Sequence, residues 1–450
     1  MNILEESGNI AGAVKNGKVH VAVYGAGRVG VTTAAAWLRA GAKVILADID
    51  RKRVDIIAQG KELFPDEPLI DETFREGFSS RRFVVTTGPS QAAAMADVNI
   101  VAVPVGLRHG DADLSSVVTV FGEIAPRMQK GSLSILETSV PPGTSRDVVL
   151  PLLEAGSNMK AERDFAMAYS PERIFEGRSL KDLEENYPKI VAGFGPKSLR
   201  AVSAFYSCVA KKGVLEMSSL EGAELEKLFE GVYRDVNIAL ANELALVCEK
   251  LGVDFWEVQK ASNSQPFNHL HRPGLGVGGA CIPVYPVFVV GAAKKRRSKA
   301  ALTEEAMKIN ESMPALVTKR ALSLLGGSPR SVAVLGLAFR GDVADDRLSP
   351  TYDLLKELRK GKCKVRVHDP FIKKEEAEGF PVTSDLGTAL EDCSLVIIAT
   401  DHKAYRELSY GQLKSLTRTE PIILDARGIL DRSKFPQGKL LVLGYGQRPS

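Results

Sequence analysis

Residues 19–50, VHVAVYGAGRVGVTTAAAWLRAGAKVILADID, decide the fold. Val19 to Tyr24 form a short β-branched run, GAGRVG follows at 25–30, VTTAAAWLRAG reads as a helix, and KVILADID at 43–50 reads as a second strand carrying Asp48. A strand, a glycine turn, a helix and a second strand closed by an acid about 20 residues on make a dinucleotide-binding unit. Gly25 makes the turn, Gly27 lets the backbone approach a pyrophosphate, and Gly30 lets the helix pack against the strand. The diphosphate then sits over free amides at the helix N-terminus. Asp48 is expected to accept hydrogen bonds from ribose hydroxyls and to repel a 2′-phosphate, which selects NAD over NADP. Arg51 or Arg53 could offset that repulsion.

Outward from this unit the alternation continues through strands in 97–105, 131–140 and 165–173, giving a doubly wound α/β domain. From Glu221 to Leu251 the pattern changes to apolar residues spaced by three and four, at 225, 228, 229, 232, 236, 240, 244, 247 and 251. That spacing predicts one long amphipathic helix, stopped by Gly252. Asp254 followed by Glu257 predicts a capping box opening the next helix. A second alternating unit begins with SVAVLGLAFRG at 331–341 and closes with PIILDARGILD at 421–431. Its first turn keeps Gly336 and Gly341 but has Leu337 and Ala338, which disfavours a second dinucleotide site. The expected architecture is two Rossmann-like doubly wound α/β domains joined by a central helical segment. The boundaries are 1–18 for a loosely held lead-in, 19–212, 213–325 and 326–450.

Composition limits the function classes. The 450 residues exceed what one core supports, and 44% hydrophobic with 25% charged residues is ordinary for a soluble enzyme. The net charge of +4 and a single basic cluster, KKRRSK at 294–299, do not point to nucleic acid. No segment reads as a signal peptide or a membrane span. Five scattered cysteines without a CxxC pair exclude a disulfide framework and a structural zinc, and fit a reducing cytoplasm with no metal. Cys208, Cys248, Cys363 and Cys393 are expected to be buried as small hydrophobes.

Cys281 differs. It lies in PGLGVGGACIPVYP, residues 273–286, where four glycines and three prolines specify a shaped loop rather than a helix or strand. A thiol held there is a candidate nucleophile.

With GAGRVG, ETSVPPGT, SPERIFEG, the AELEKLFEGVYRDVNIALANELALVCEKLGVD helix, GVGGACIP, NESMP and GLAFRGDVADDRLSP in this order, the chain resembles the nucleotide-sugar 6-dehydrogenase family over roughly residues 19–445. The resemblance implies two successive NAD-dependent oxidations of a sugar carbon-6 alcohol to a uronic acid, through a thiohemiacetal and a thioester on Cys281. It assigns Lys227 to oxyanion stabilisation or proton movement, and Glu172 and Ser139 to catalysis, Ser139 helping to hold the attacking water. It extends the cofactor site to Arg28, Val29, Arg53, Pro104 and Ser139, beside Gly25, Gly27, Gly30 and Asp48. To the substrate it assigns Arg173, Ile174, Phe175, Glu176, Lys227, Arg234, His271, Gly278, Arg340 and Arg347. The SPER form of the Glu172 loop points to N-acetylated UDP-sugars, with UDP-N-acetylmannosamine ahead of UDP-N-acetylglucosamine, UDP-glucose and GDP-mannose. Family members pair through the long helix, so a homodimer or higher homo-oligomer is expected.

Three residues depart from the family pattern: Gly231 where asparagine is usual, Tyr285 where aspartate is usual, and Ala280 where many N-acetylhexosamine members have histidine. Losing the aspartate removes an obvious way to orient water, so thioester hydrolysis is the step these departures bear on most, and a nucleotide-sugar binding protein with impaired catalysis is the alternative reading.

Overall fold

The computed structural model describes residues 1–61, 63–326 and 331–446; the last four residues of the expected C-terminal domain, and 327–330 near its start, lie outside the described residues. The chain divides into two compact units, Met1–Phe229 and Glu230–Ser450.

In the first unit the strands are β1 (His20–Tyr24), β2 (Lys43–Ala47), β3 (Phe83–Thr86), β4 (Val98–Val101), a separate hairpin of β5 (Gly106–Arg108) and β6 (Asp111–Asp113), then β7 (Leu133–Leu136), β8 (Ala166–Tyr169), β9 (Lys189–Gly193) and β10 (Val214–Glu216). The main sheet runs β10-β9-β8-β7-β4-β1-β2-β3, parallel except where β9 pairs antiparallel with β8. Its central strands are apolar runs buried along nearly their whole length, as parallel strands covered on both faces must be. The order reverses between β1 and β4, which opens a crevice beyond their carboxyl ends.

The second unit repeats the design with β11 (Ser331–Leu335), β12 (Lys364–His368), β13 (Glu376–Ala377), β14 (Phe380–Thr383), β15 (Leu395–Ile398), β16 (Ile422–Asp425) and β17 (Leu440–Val442), ordered β13-β14-β12-β11-β15-β16-β17. The helices used below are α1 (Arg28–Ala40), α2 (Leu220–Leu251), α3 (Phe255–Ser262), α4 (Tyr285–Lys295), α5 (Ala301–Leu325) and α6 (Pro350–Lys360).

Four local expectations need correction. Residues 1–18 are not loosely held: Ile3, Ile10 and Val14 are fully buried in the first unit's core. Asp254 caps α3 by accepting from the Trp256 amide, without a reciprocal bond from Glu257; its second oxygen pairs with Arg432. Cys363 and Cys393 are buried, but Cys208 and Cys248 are only half-buried.

The fourth correction concerns α2, which buries a different face from the one its apolar periodicity suggests. Its buried residues are mostly small or polar: Ala223, Glu224, Gly231, Asp235, Ala239, Ala241, Asn242 and Ala245, with Leu220 and Leu228 the exceptions. Phe229, Tyr233, Leu240, Val247 and Leu251 stay exposed as a stripe.

Candidate functional site

In the first unit the glycine turn separates packing from binding. Gly25 has φ 105°, and a Cβ there would stand 2.6 Å from the Ala102 carbonyl oxygen. At Gly30 a Cβ would fall 1.7 Å from the Gly25 carbonyl oxygen. Both glycines are thus required by the protein's own backbone contacts. Gly27 is not, since among the described residues nothing lies within 4 Å of its Cβ position and no side chain caps the first turn of α1. Open space over uncapped amides fits the diphosphate of a dinucleotide. At the end of β2, Asp48 Oδ2 accepts from the Ala26 amide at 2.5 Å and Oδ1 from the Asp50 amide at 2.8 Å. The carboxylate is half-buried and keeps lone pairs for ribose hydroxyls. Val29 is half-buried beside the turn, Arg53 pairs with Asp50 at 3.4 Å, and Pro104 and Ser139 follow the carboxyl ends of β4 and β7.

Arg28 is held by acids. Its Nη1 donates to Asp66 at 2.8 Å and to Glu67 at 2.6 Å, and its Nε lies 3.6 Å from Glu176. Buried Glu67 also accepts from the Gly177 and Ser179 amides, so it ties the glycine turn to the end of the SPERIFEG loop. Its role was not legible in the sequence, because Glu67 lies in a polar connection that matches none of the motifs.

Beyond β8, Glu172 is buried and belongs to a cluster that the motifs do not reveal. Lys189 Nζ lies 2.5 Å from Glu172 and 2.6 Å from Glu137, and Glu137 also accepts from Tyr206 at 3.0 Å and Thr33 at 3.2 Å. One ammonium cannot neutralise two buried carboxylates. Burial pushes Glu137 above its ordinary value against the pull of Lys189, while the two carboxylates outweigh burial at Lys189 and keep it protonated. Glu137 and Glu172 stand in the ETSVPPGT and SPERIFEG motifs, whereas the sequence signal for Lys189 was its place at the head of the apolar run KIVAG. Arg173, next in the loop, donates from its amide to Glu172 at 2.7 Å and from its guanidinium to the Pro188 carbonyl, and lies over the Tyr187 ring. Ile174 and Glu176 are half-buried and Phe175 is exposed.

The ETSVPPGT loop is fastened by the start of α2. Glu224 accepts from the Gly143 amide at 2.5 Å and the Ser145 amide at 2.8 Å, and burial raises it to about 7. Half-buried Lys227 sits one helical turn further on.

In the second unit the structure accounts for the glycines around the thiol. A Cβ at Gly274 would meet Arg427 Nη1 at 2.3 Å, at Gly276 the Asn310 carbonyl oxygen at 2.5 Å, and at Gly278 the Phe339 Cβ at 2.6 Å. Gly279 has φ 86°, a Cβ there would stand 3.0 Å from the Phe339 ring, and its amide donates to the Arg347 carbonyl at 2.8 Å. The loop therefore lies at backbone distance on α5 and on the segment after β11. Buried Asn242 of α2 accepts from the Gly274 amide at 2.8 Å and donates to Asn310, which in turn donates to Asp235. Held in this way, the loop leaves Cys281 exposed, just before α4. Tyr285, the first residue of α4, donates from its hydroxyl to Cys281 Sγ at 3.2 Å. His271 has a buried Nε2 without a hydrogen-bond partner among the described residues, and burial, with the charges of His269 and Arg234, lowers its affinity for a proton. Arg234 is exposed on α2.

The second sheet has the same turn with a different outcome. Asp369 ends β12 as Asp48 ends β2, but it is fully buried and saturated. Its oxygens accept from the amides of Leu337, Ala338, Phe371 and Ile372, and His402 Nε2 lies 3.1 Å away. Gly336 and Gly341 are both blocked, by Thr400 and by the Asp401 carbonyl. The Asp369 carboxylate is thus taken up within the protein. Cations gather at this end of the sheet instead. Asp425 takes four amide bonds from residues 427–430, fixing the loop that carries Arg427, whose Nη2 lies 3.3 Å from Asp401 and whose buried Nε has no hydrogen-bond partner among the described residues. Arg340 lies over the Phe339 ring, while Arg347 is largely exposed and clamped by Asp345. Sequence reasoning missed Arg427, although DARG following a strand was a visible signal.

Three models of the UDP-glucose/GDP-mannose dehydrogenase family match the chain: the NAD binding domain over residues 19–209, the central domain over 221–312 and the UDP binding domain over 333–432. A UDP-N-acetyl-D-mannosamine dehydrogenase of Pyrococcus horikoshii is 32% identical over 95% of this chain and 99% of its own length. An NDP-N-acetyl-D-galactosaminuronic acid dehydrogenase of Ralstonia nicotianae is 31% identical over 91% of this chain and 96% of its own. The solved structure of a UDP-D-ManNAc dehydrogenase from Pyrococcus horikoshii superposes with a TM-score of 0.88 at 31% identity, covering 95% of this chain and all of that one. The glycine turn with its open Gly27, the arginine-lined end of the second sheet and these matches agree: the chain belongs to the UDP-glucose/GDP-mannose dehydrogenase family and is an NAD-dependent nucleotide-sugar dehydrogenase.

Proposed function

We propose that this chain oxidises the carbon-6 alcohol of a UDP-N-acetylhexosamine, UDP-N-acetyl-D-mannosamine first, to the uronic acid in two successive two-electron steps on Cys281. The observation that carries this reading is an exposed thiol on a loop whose glycines are demanded by contacts with Phe339, Asn310 and Arg427. The substrate class is supported by relatives whose names specify N-acetylated sugars and by Arg173 in the loop that carries Glu172.

Gly25, Gly27, Arg28, Val29, Gly30, Asp48, Arg53, Pro104 and Ser139 would hold NAD, which when bound would supply the hydride acceptor for each oxidation. Cys281 adds as its thiolate to the aldehyde: a carbon–sulfur bond forms, the carbonyl electrons move to oxygen, and the Lys227 ammonium stabilises that oxyanion. Loss of the second hydride leaves a thioester. Its hydrolysis frees the thiol, with Glu172 and Ser139 orienting the water. Arg173, Ile174, Phe175, Glu176, Arg234, His271, Gly278, Arg340 and Arg347 bind the sugar nucleotide, whose diphosphate needs cationic and backbone donors. Residues 19–212 hold the cofactor, 213–325 the cysteine and the pairing helix, and 326–450 the nucleotide. The protein works in the cytoplasm as a homodimer or higher homo-oligomer; among the described residues no helix is long and apolar enough to cross a membrane.

A panel of UDP-N-acetylmannosamine, UDP-N-acetylglucosamine, UDP-glucose and GDP-mannose, with NADH counted per sugar consumed, tests the reading. Two NADH per UDP-N-acetylhexosamine are expected. One or none rejects the two-step reaction, and preferred turnover of UDP-glucose or GDP-mannose rejects the substrate class.

A further inference from the structure

Two of the three departures from the family pattern are one structural event. Gly231 lies inside the long helix α2, where glycine is less favourable than alanine. It is buried, and a Cβ added there would stand 2.5 Å from Tyr285 Cδ2 and 3.0 Å from Tyr285 Cβ. The glycine vacates the volume that the tyrosine ring fills. Tyr285 is 7% exposed, and its hydroxyl donates to Cys281 Sγ at 3.2 Å. The backbone reinforces this placement, since the Cys281 carbonyl accepts from the Val284 and Tyr285 amides at 3.0 Å each. A residue four positions along the chain is thereby fixed over the sulfur in one geometry.

We infer that Tyr285 is a catalytic residue of the cysteine chemistry, with its hydroxyl stabilising sulfur as the leaving group when the thioester is hydrolysed, and that Gly231 is the positioning residue that makes room for it. This rests on the reaction proposed above. In that step water adds to the acyl carbon and loses one proton to solvent, the carbonyl re-forms, and the carbon–sulfur bond breaks with its electron pair going to sulfur. The products are the carboxylic acid and a thiolate that receives the tyrosine hydrogen bond. A phenol of ordinary pKa about 10 is a weaker acid than a thiol of about 8.5, so it donates a hydrogen bond and keeps its proton. For the same reason it does not act as a base toward water at neutral pH. Its action belongs to the departing sulfur, where charge develops.

Tyr285→Phe keeps the ring over Gly231 and removes only the hydroxyl. With UDP-N-acetyl-D-mannosamine and NAD, this variant is expected to release two NADH per site in a burst close to that of the wild type. Its steady-state turnover should then fall about tenfold or more, with a covalent sugar adduct accumulating on Cys281 by intact-mass spectrometry. Gly231→Ala, which drives a methyl into the ring, is expected to show the same burst and adduct, and the double variant should be no slower in hydrolysis than either single one. Wild-type turnover by Tyr285→Phe without adduct overturns the role of the hydroxyl, and fully additive losses overturn the coupling to Gly231. A wild-type protein that makes one NADH or none per sugar overturns the reaction itself, and this role with it.

Discussion

Lys189 stands between Glu137 and Glu172 with nearly all of its side chain buried, so its charge is part of the first unit's stability. Removing one partner of a buried ion pair costs about 3–5 kcal/mol, because the remaining charge stays uncompensated. Lys189→Met should therefore lower the unfolding free energy by about 3–5 kcal/mol in urea titration at neutral pH. An unchanged midpoint would show that the two carboxylates accept protons at little cost. Glu224 carries a different signature. Its ordinary value of 4.5 is raised to about 7 by burial, so the folded chain holds a proton that the unfolded chain releases between those values. Its contribution is full below about pH 4.5 and lost as pH rises through about 7. Glu224→Gln should thus lose less stability than the wild type between about pH 5 and about pH 8. Comparing the two proteins isolates Glu224 from Asp235, which is also raised, and from His271 and His368, which are lowered. Parallel stability curves would refute the assignment. Glu172 was legible through its SPER motif, whereas Lys189, one basic residue among many, reads as a surface charge until β8 and β9 are paired.

At the scale of the element, α2 shows how periodicity can identify a helix and mislead about its buried face. Positions spaced by three and four established the helix, and its bounds, Leu220–Leu251, lie within a residue of the reading. Within the chain, however, it buries Glu224, Asp235, Asn242 and four alanines, because their partners are loop amides and closely packed backbone rather than an apolar core. The exposed stripe of Phe229, Tyr233, Leu240, Val247 and Leu251 runs at four- and seven-residue spacings down one side, as a pairing helix requires. We expect the wild type to be at least a dimer by light scattering at micromolar concentration, and Leu240→Glu with Val247→Glu to lower the mass while preserving helical circular dichroism. A monomeric wild type, or an unchanged mass in the variant, would rule out this face as the interface.

At the scale of the whole molecule, a first strand flanked by a parallel neighbour on each side occurs in both sheets, with opposite outcomes. By itself the sequence determined the alternation of strands and helices, the glycine turn with its NAD preference, the long helix and the shaped loop around Cys281. Each of these is encoded by spacing within about 30 residues, where periodicity, glycine and proline act directly on the backbone. Only the tertiary structure decided which polar groups remain available for ligands. Asp48 and Asp369 end equivalent strands, yet Asp369 is consumed by four amides and His402, while Asp48 keeps capacity for a ribose. The coupling of Gly231 to Tyr285, and of Arg427 to Gly274, likewise joins positions 54 and 153 residues apart. The physical reason is that hydrogen-bond saturation and close packing depend on which distant segments meet, and no local pattern records that meeting.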